Sequence, residues 1–227
     1  MKIKINEKQL KTVVTEMSYP VSFSFDEFKR ISSYNGKMRY CETHLQKMAS
    51  GSARVVYKID ETKVLKLAKN NKGIAQNETE YGLSNDYYRS SILAQTFDFD
   101  EESSYWIEME LARKVKPNDF KQVIGYPINF IKFFINEIAG EYSNKGGYYE
   151  RPPEYLFLMN LFYVEDMEDF KNWEWFNELA DYLRNYRIPS GNITRISSWG
   201  LVNRNGKDNL VVIDFGLTDD VYNSYYN

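Results

Sequence analysis

Short apolar runs separated by turns dominate the first half of the chain. The stretch "HLQKMASGSARVVYKIDETKVLKLAKN" contains three short runs typical of strands, residues 45–48, 54–59 and 63–68. Two further apolar runs flank the acidic turn of "ILAQTFDFDEESSYWIEMEL", which predicts a hairpin. Residues 73–88, between the two patterns, are charged and poor in β-branched residues, as in a helix. This half therefore predicts five antiparallel strands and one helix.

The periodicity changes to three and four residues beyond Pro117. The apolar positions of "INFIKFFINEI" and of "NWEWFNELADYLRNYRI" recur at helical spacing and predict two amphipathic helices. A further apolar segment, residues 155–164, lies between them. "WGLVNR" and "NLVVID" then predict a late hairpin, because the Asn205–Gly206 pair that joins them favours a tight turn. Near the amino terminus, "SFDEFKRISSY" predicts one more helix.

These elements indicate an α+β chain with two lobes. We assign residues 1–44 to an amino-terminal extension, residues 45–112 to a β-rich lobe that ends in a hinge, and residues 113–227 to a mostly helical lobe with the late hairpin. A length of 227 residues is enough for each lobe to bury a core.

Composition narrows the classes of function. The chain has 29 Lys and Arg against 32 Asp and Glu, a formal net charge of -3, so a broad basic field for nucleic acid is not expected. Cys41 is the single cysteine and His44 the single histidine, which excludes an internal disulfide and a Cys/His metal cluster. Charged residues interrupt every long apolar stretch, so we expect no membrane span and a cytoplasmic location.

Three separated features occur in an order that suits phosphoryl transfer. "ASGSARVVY" joins two predicted strands, and its small residues allow a close approach of phosphates to the backbone. Lys66 lies on the third predicted strand, where an ammonium group can contact phosphate oxygens. Asp214 follows the apolar run of the late hairpin, where a carboxylate can hold Mg²⁺.

Four stretches carry a resemblance to the protein-kinase-like fold: "GSARVVY", "KVLKLAKNNKGIAQNETE", "WIEMELARKV" and "SSWGLVNRNGKDNLVVIDFGLTDDVY". The sequence particularly resembles the short kinase-like proteins encoded by bacteriophages. The resemblance implies a reduced bilobal fold with a five-stranded antiparallel amino-terminal lobe and one helix, followed by a truncated helical lobe. It also implies ATP and Mg²⁺ as cofactors.

Individual site residues follow from the same resemblance. Lys66 is similar to the lysine that grips the nucleotide phosphates, and Glu80 to its ion-pair partner on the helix, with Glu78 as the competing choice. Asp214 is similar to the metal-binding acid of an Asp-Phe-Gly motif. The remaining nucleotide-binding positions are the phosphate loop and the gatekeeper and hinge: Gly51, Ser52, Ala53, Met109, Glu110 and Ala112.

The catalytic loop departs from the kinase pattern. In "PSGNITRISSWG", Asn192 stands where the catalytic aspartate belongs, and Ser197 or Ser198 stands where a metal-binding asparagine belongs. An amide cannot accept a proton as a general base, whereas a serine hydroxyl can still be a weak Mg²⁺ ligand. Only thirteen residues follow Asp214, so we also expect no activation segment and no peptide-substrate helices.

Three functions remain compatible with this pattern. The first is a nucleotide-binding degenerate kinase or pseudokinase of phage origin, which has a nucleotide and a host or phage protein as partners. The second is an active, atypical ATP-dependent phosphotransferase. The third is a structural or interaction protein of a phage, in the host cytoplasm or associated with the virion, that uses the fold as a scaffold.

Overall fold

The computed structural model describes residues 22–84, 91–138, 172–186 and 188–226. The described residues form two compact units. The first contains the chain up to Glu78 together with Thr96–Leu111, and the second contains Thr79–Gln95 and the chain from Ala112 onward. No helix in these ranges is long and apolar enough to cross a membrane.

An antiparallel sheet forms the centre of the first unit. Its five strands stand in the order β1-β2-β3-β5-β4. The central strand is β3, which pairs with β2 on one side and β5 on the other. Every neighbouring pair is antiparallel. The strands are β1 (Gln46–Ser50), β2 (Arg54–Lys58), β3 (Lys63–Ala68), β4 (Thr96–Phe99) and β5 (Trp106–Glu110).

This sheet confirms the five predicted antiparallel strands. The small-residue connection at residues 51–53 joins β1 to β2, and the acidic turn joins β4 to β5, as predicted. The predicted helix is observed as α3 (Asn71–Ser84), while residues 85–88 of that prediction lie outside the described ranges. Two helices precede the sheet, α1 (Phe25–Arg30) and α2 (Tyr34–His44), where the sequence predicted one.

The helix predicted near the amino terminus is interrupted at residues 31–33. Ile31 and Ser33 are extended, and the Ser33 hydroxyl accepts the Gly36 amide and caps α2. The buried ammonium group of Lys37 donates to the carbonyls of Phe28 and Lys29 at 3.0 and 3.3 Å. These bonds satisfy the last carbonyl groups of α1, which a helix end leaves without intrahelical partners.

Both amino-terminal helices bury their apolar side chains in the core of the first unit. Phe28 is fully buried and makes edge contact with Trp106 of β5, with ring centroids 5.6 Å apart. The described part of the predicted extension therefore belongs to the same core as the sheet. The members of this core are Phe23, Phe25, Phe28, Cys41, Leu45, Val55, Tyr57, Ile59, Leu65, Leu67 and Trp106.

Helix α3 begins against the sheet at a position that only glycine can occupy. A Cβ added to Gly73 would lie 2.3 Å from the Ala53 carbonyl oxygen and 2.9 Å from the Cα of Ala68. Because both neighbours are backbone atoms, neither can move without shifting a strand. Gly73 thus fixes how closely the first turn of α3 approaches β2 and β3.

The thiol of Cys41 should be unreactive toward alkylating reagents in the folded protein. Its thiol is fully buried, and this burial raises its pKa to about 12. Because only the thiolate attacks electrophiles, we expect iodoacetamide at pH 8 to modify the native protein slowly and the urea-unfolded protein rapidly. Mass spectrometry of the alkylated protein measures both rates. Equal rates in the two states would contradict the burial of Cys41.

The same pKa difference predicts a loss of stability in alkali. The unfolded thiol ionises near its ordinary pKa, about 8.5, whereas the folded thiol stays protonated up to a pKa of about 12. The unfolded state therefore loses its proton first, and the contribution of Cys41 to folding is complete below about pH 8.5 and declines above it. Urea unfolding midpoints of wild type and Cys41→Ala, compared from pH 8 upward, should converge as this contribution is lost. A constant difference across that range would contradict the assignment.

A second, smaller sheet lies in the carboxy-terminal unit. The predicted late hairpin is confirmed as β7 (Trp199–Arg204) and β8 (Lys207–Val212), and a short strand that the sequence did not reveal, β6 (Arg113–Lys114), pairs with β7. Residues 92–94 do not extend β4 as predicted. Leu93 instead forms a parallel bridge with Val212, and the Ala94 amide donates to the Val212 carbonyl.

Helices pack around this second sheet. Both predicted amphipathic helices are confirmed, as α5 (Ile128–Ile138) and α6 (Trp173–Tyr186). The ring of Phe176 on α6 contacts Phe134 of α5 with ring centroids 5.0 Å apart. The described part of this unit also contains the shorter α-helices α4 (Pro117–Val123), α7 (Ser190–Ile193) and α8 (Asp219–Tyr225), and a 3-10 turn at Ile196–Ser198. The apolar segment 155–164 lies outside the described residues. The α+β class is confirmed.

Candidate functional site

The candidate phosphate loop joins β1 to β2 and is exposed at Gly51 and Ser52. A Cβ added to Gly51 would meet only the Arg54 carbonyl oxygen, at 3.9 Å, so the loop is open at this position. The Gly51 amide donates to that carbonyl at 2.8 Å and closes the turn. A phosphate contact at Gly51 would therefore require this hydrogen bond to open, whereas Ser52 and the buried Ala53 follow it along the loop.

Two side chains beyond β3 hold the loop in place. Lys69 donates from its ammonium group to the Gly51 carbonyl at 2.7 Å, and Asn70 donates to the Ser52 carbonyl at 3.1 Å. The Lys69 amide also donates to the Ala53 carbonyl at 2.7 Å. Sequence reasoning missed both residues. The available signal was their position, two polar residues directly after an apolar strand that pairs with the loop.

Lys66 lies at the centre of the first sheet. Lys66 pairs with Val56 of β2 and with Ile107 of β5, and it is only 7% exposed. A lysine at this degree of burial is uncommon unless its ammonium group has partners. The position agrees with a lysine reserved for a specific contact rather than one on a solvated strand face.

The predicted gatekeeper and hinge comprise the last residues of β5 and the residues just beyond it. Met109 is buried opposite Val64, and Glu110 is half-buried opposite Lys63. The next amide, of Leu111, donates to the Thr62 carbonyl at 2.6 Å. In the second unit, Ala112 packs directly against Gly200 of β7. A Cβ on Gly200 would lie 2.3 Å from the Cβ of Ala112, so a larger residue does not fit at this position.

The two competing glutamates of α3 have different surroundings. Glu80 is fully buried, and its Oε1 accepts the Gly216 amide at 3.3 Å in a buried hydrogen bond. Glu78 is exposed and accepts the Ser104 hydroxyl at 2.9 Å. Of the two, Glu80 is the carboxylate that contacts the Asp-Phe-Gly segment. The pairing of Lys66 with Glu80 stays a prediction.

Replacing Glu80 tests the importance of this bond. Glu80→Leu leaves the buried Gly216 amide without its acceptor, which costs about 1–3 kcal/mol of unfolding free energy. Glu80→Gln keeps a carbonyl oxygen and should cost less. Urea unfolding measures the stability, and hydrogen exchange measures the protection of the Gly216 amide. The matched control is Glu78→Leu, which should leave that amide protected. Unchanged exchange at Gly216 in Glu80→Leu would contradict the assignment.

Asp214 is exposed, between the half-buried Ile213 and the buried Phe215. It lies two residues beyond the end of β8, so the strand ends slightly earlier than the sequence suggests. On one side, the Ile213 amide donates to the Ser198 carbonyl at 2.9 Å, and on the other, Phe215 is buried. Both neighbours are anchored, while Asp214 itself is exposed.

The structure brings the predicted catalytic loop next to this segment. The Asn192 side chain donates to the Leu217 carbonyl at 3.3 Å, and the Ser198 hydroxyl donates to the Asn192 carbonyl. Ser198 is buried, whereas Ser197 is exposed. The Ser198 carbonyl thus accepts directly from Ile213, the chain neighbour of Asp214.

The predicted metal-binding residues carry oxygen atoms. Asp214, Asn192 and Ser198 supply oxygen atoms of the kinds that Mg²⁺ prefers: carboxylate, amide and hydroxyl. Within the described ranges, no group of three or more His, Cys, Asp or Glu side chains is placed to hold a metal ion. A metal here would therefore depend on one carboxylate and on oxygens from a ligand or water, as is common for Mg²⁺ held by phosphates.

Comparisons with known proteins give similarity at the level of structure. No protein-family model and no curated protein sequence matches the chain. A streptomycin–ATP ternary complex of APH(2'')-IIa is 12% identical, covers 95% of this chain and 72% of its own, and has a TM-score of 0.34. A GDP and kanamycin complex from the same group is 14% identical, with 92% and 73% coverage and a TM-score of 0.34. The ADP-bound aminoglycoside phosphotransferase APH(2'')-Ib is 14% identical, with 79% and 69% coverage and a TM-score of 0.32.

Proposed function

We propose that the protein is a kinase-like protein that binds ATP with Mg²⁺ and has a degenerate catalytic loop. The observation that carries the proposal is the hydrogen bond of Gly216 to the fully buried carboxylate of Glu80. Burying a carboxylate is costly unless specific donors compensate it. Here one donor is the backbone of the segment that presents Asp214, which links the proposed helix carboxylate to the proposed metal ligand.

The first unit supports the nucleotide-binding part of the proposal. Lys66 is held in the central strand, where its backbone is paired on both sides. The loop at residues 51–53 is open at Gly51 and tied down by Lys69 and Asn70. In this proposal Lys66 and the loop bind the phosphates, and the Glu110 carbonyl and Ala112 amide bind the adenine. Asp214 binds the metal.

The surroundings of Asn192 support the proposal that the catalytic loop is degenerate. The Asn192 side chain donates to the Leu217 carbonyl, and an amide in this role cannot take a proton from a substrate hydroxyl. Phosphoryl transfer then depends on positioning and charge neutralisation alone. Binding without rapid turnover is the expected behaviour.

Thermal unfolding with and without Mg-ATP tests nucleotide binding. Saturating nucleotide at about 100 times its dissociation constant should stabilise the wild-type protein by about 2.7 kcal/mol, seen as a higher melting temperature. Lys66→Met should abolish this increase, and the exposed strand lysine Lys47→Met should preserve it. No increase for wild type with millimolar Mg-ATP, or an equal increase in Lys66→Met, would overturn the proposal.

The exposed carboxylate of Asp214 favours a second candidate, an active phosphotransferase. A metal bound there would neutralise the charge that develops on transferred phosphate. Slow release of phosphate from γ-labelled Mg-ATP by wild type, and its loss in Asp214→Asn, would support this activity. Equal rates in wild type and Asp214→Asn would exclude it, whether or not the nucleotide binds.

A further inference from the structure

A buried asparagine of α3 joins three elements of the first unit. Asn77 is fully buried, and its side-chain amide is bonded at both ends. Its Oδ1 accepts the Arg54 guanidinium at 3.4 Å, and its Nδ2 donates to the Ser104 carbonyl at 2.9 Å. Arg54 begins β2, and Ser104 lies in the acidic turn between β4 and β5. Asn77 therefore connects α3 to a strand of the sheet and to a turn.

The amide of Asn77 fits these two partners in one orientation. A guanidinium only donates and a backbone carbonyl only accepts, so the amide oxygen faces Arg54 and the nitrogen faces Ser104. Asn77→Asp would direct a carboxylate oxygen at the Ser104 carbonyl, and Asn77→Leu would lose both bonds. Because buried polar groups without partners are costly, the two contacts together restrict the residue type at this position.

Ser104 holds its carbonyl toward α3 in a backbone conformation that side chains rarely adopt. Its φ is 55°, in the left-handed region. Its amide donates to the Asp100 carbonyl at 2.8 Å, and the Asp100 carboxylate accepts the amides of Ser103 and Tyr105 at 3.4 and 3.2 Å. The Ser104 hydroxyl donates to Glu78. A strained conformation persists where its surroundings determine it in this way, and such positions are often functional.

The other partner of Asn77 directly follows the candidate phosphate loop. The Arg54 carbonyl accepts the Gly51 amide at 2.8 Å and so closes the loop. The side chain of the buried Arg54 reaches Asn77. The positions of the loop and of α3 are therefore linked through one arginine.

The carboxylate of Glu80 lies on the same face of α3 as Asn77. The two residues are three positions apart on one continuous helix, so their side chains project in similar directions. Glu80 is fully buried and accepts the Gly216 amide. A rotation or shift of α3 at Asn77 would thus move Glu80 with it.

We propose that Asn77 is a positioning residue of the nucleotide site, and that the left-handed Ser104 is the support against which it holds α3. The inference rests on the proposed function, because Asn77 would keep the loop at residues 51–53 and the carboxylate of Glu80 in their binding arrangement. In this role Asn77 acts through Arg54 and through the helix that carries Glu80, not by touching the nucleotide.

Nucleotide affinity tests the assignment of Asn77. In calorimetric titrations with Mg-ATP, at a temperature where every variant is folded, Asn77→Leu should bind about tenfold more weakly than wild type, because both side-chain hydrogen bonds are lost. The matched control is Asn71→Leu, the same substitution at the exposed first residue of α3, which should bind like wild type. Equal affinity of wild type and Asn77→Leu would overturn the inference and leave the proposed function standing.

Two variants of Ser104 separate positioning from a purely structural role. Ser104→Gly and Ser104→Val both remove the hydroxyl that donates to Glu78. Glycine adopts a positive φ freely, whereas a β-branched valine resists it. Ser104→Gly should therefore keep the nucleotide affinity of wild type, and Ser104→Val should bind about tenfold more weakly. This pair decides the question if Asn77→Leu does not fold, and equal affinity of the two variants would contradict the role of the left-handed serine.

Hydrogen exchange at the Gly216 amide tests the inference without nucleotide. Asn77→Leu and Ser104→Val should both accelerate this exchange, because the Glu80 acceptor moves with α3, while the amides of β8 should exchange as in wild type. If wild type does not bind Mg-ATP, the proposed function fails, and this exchange alone decides whether Asn77 positions the helix. Unchanged exchange at Gly216 in both variants would overturn the inference.

Discussion

Phe28→Ala should destabilise the first unit by about 3–5 kcal/mol, the range for truncating a fully buried phenylalanine. Phe28 is inaccessible to solvent, stacks on Phe25 with ring centroids 5.7 Å apart, and meets Trp106 edge-on at 5.6 Å. Its ring also lies 4.6 Å from the Lys37 ammonium group. The substitution removes all of these contacts and leaves a cavity that rigid strands cannot fill.

Urea unfolding measures the effect. Trp106 is the one tryptophan of the first unit, and the other three belong to the second, so comparison with a Trp106→Phe background identifies the affected transition. Phe97→Ala is the matched control, because this ring is 46% exposed on β4 and its loss should cost well under the effect at Phe28. A change below about 1 kcal/mol for Phe28→Ala would contradict a shared core and favour an independent extension.

The strand pattern was predictable because each strand of the first sheet has its own local signal. Short apolar runs identify β2 and β3, and the small-residue and acidic turns mark the connections. The break between α1 and α2 had a weaker signal. The string "ISS" is compatible with a helix, and only the Ser33 cap and the Lys37 contact with the α1 carbonyls show why the chain turns there. Such contacts depend on tertiary structure, so a local pattern does not contain them.

Strand β6 and the bridge at Leu93 were not predictable for a related reason. Two residues, Arg113 and Lys114, are too few to give a periodicity, and their pairing with β7 joins positions more than eighty residues apart. Residues 92–94 are apolar and adjacent to β4, so local reasoning assigns them to the first sheet. Their hydrogen bonds to Val212 place them in the second unit instead.

Sequence reasoning about the candidate site identified residue types better than contacts. The resemblance singles out Lys66, Glu80 and Asp214, and the structure places them on a central strand, in a buried position and at an exposed strand end. It did not reveal that Gly51 uses its own amide to close the turn, or that Lys69 holds that loop. Hydrogen-bond direction is set by three-dimensional geometry, which spacing along the chain does not encode.

Trp199→Ala should destabilise the second unit by about 3–5 kcal/mol. Trp199 is buried at the start of β7, and its ring meets Phe120 and Trp175 with centroids 5.8 and 5.7 Å apart. Its indole N–H donates to the Ile193 carbonyl at 2.7 Å. Ile193 ends α7, the short helix that carries Asn192, so Trp199 attaches this helix to the sheet.

Trp199→Phe separates the two contributions of this side chain. It keeps an aromatic ring in the core but removes the indole donor, and a buried carbonyl without a partner costs about 1–3 kcal/mol. Urea unfolding of both variants should therefore show a loss in Trp199→Phe that is smaller than in Trp199→Ala. Trp173→Ala, at a half-buried position, is the control of matched size. Equal stability of wild type and Trp199→Ala would contradict the attachment. If the indole bond alone positions the loop, the amide shifts of residues 190–194 should move in Trp199→Phe while those of residues 207–212 stay in place.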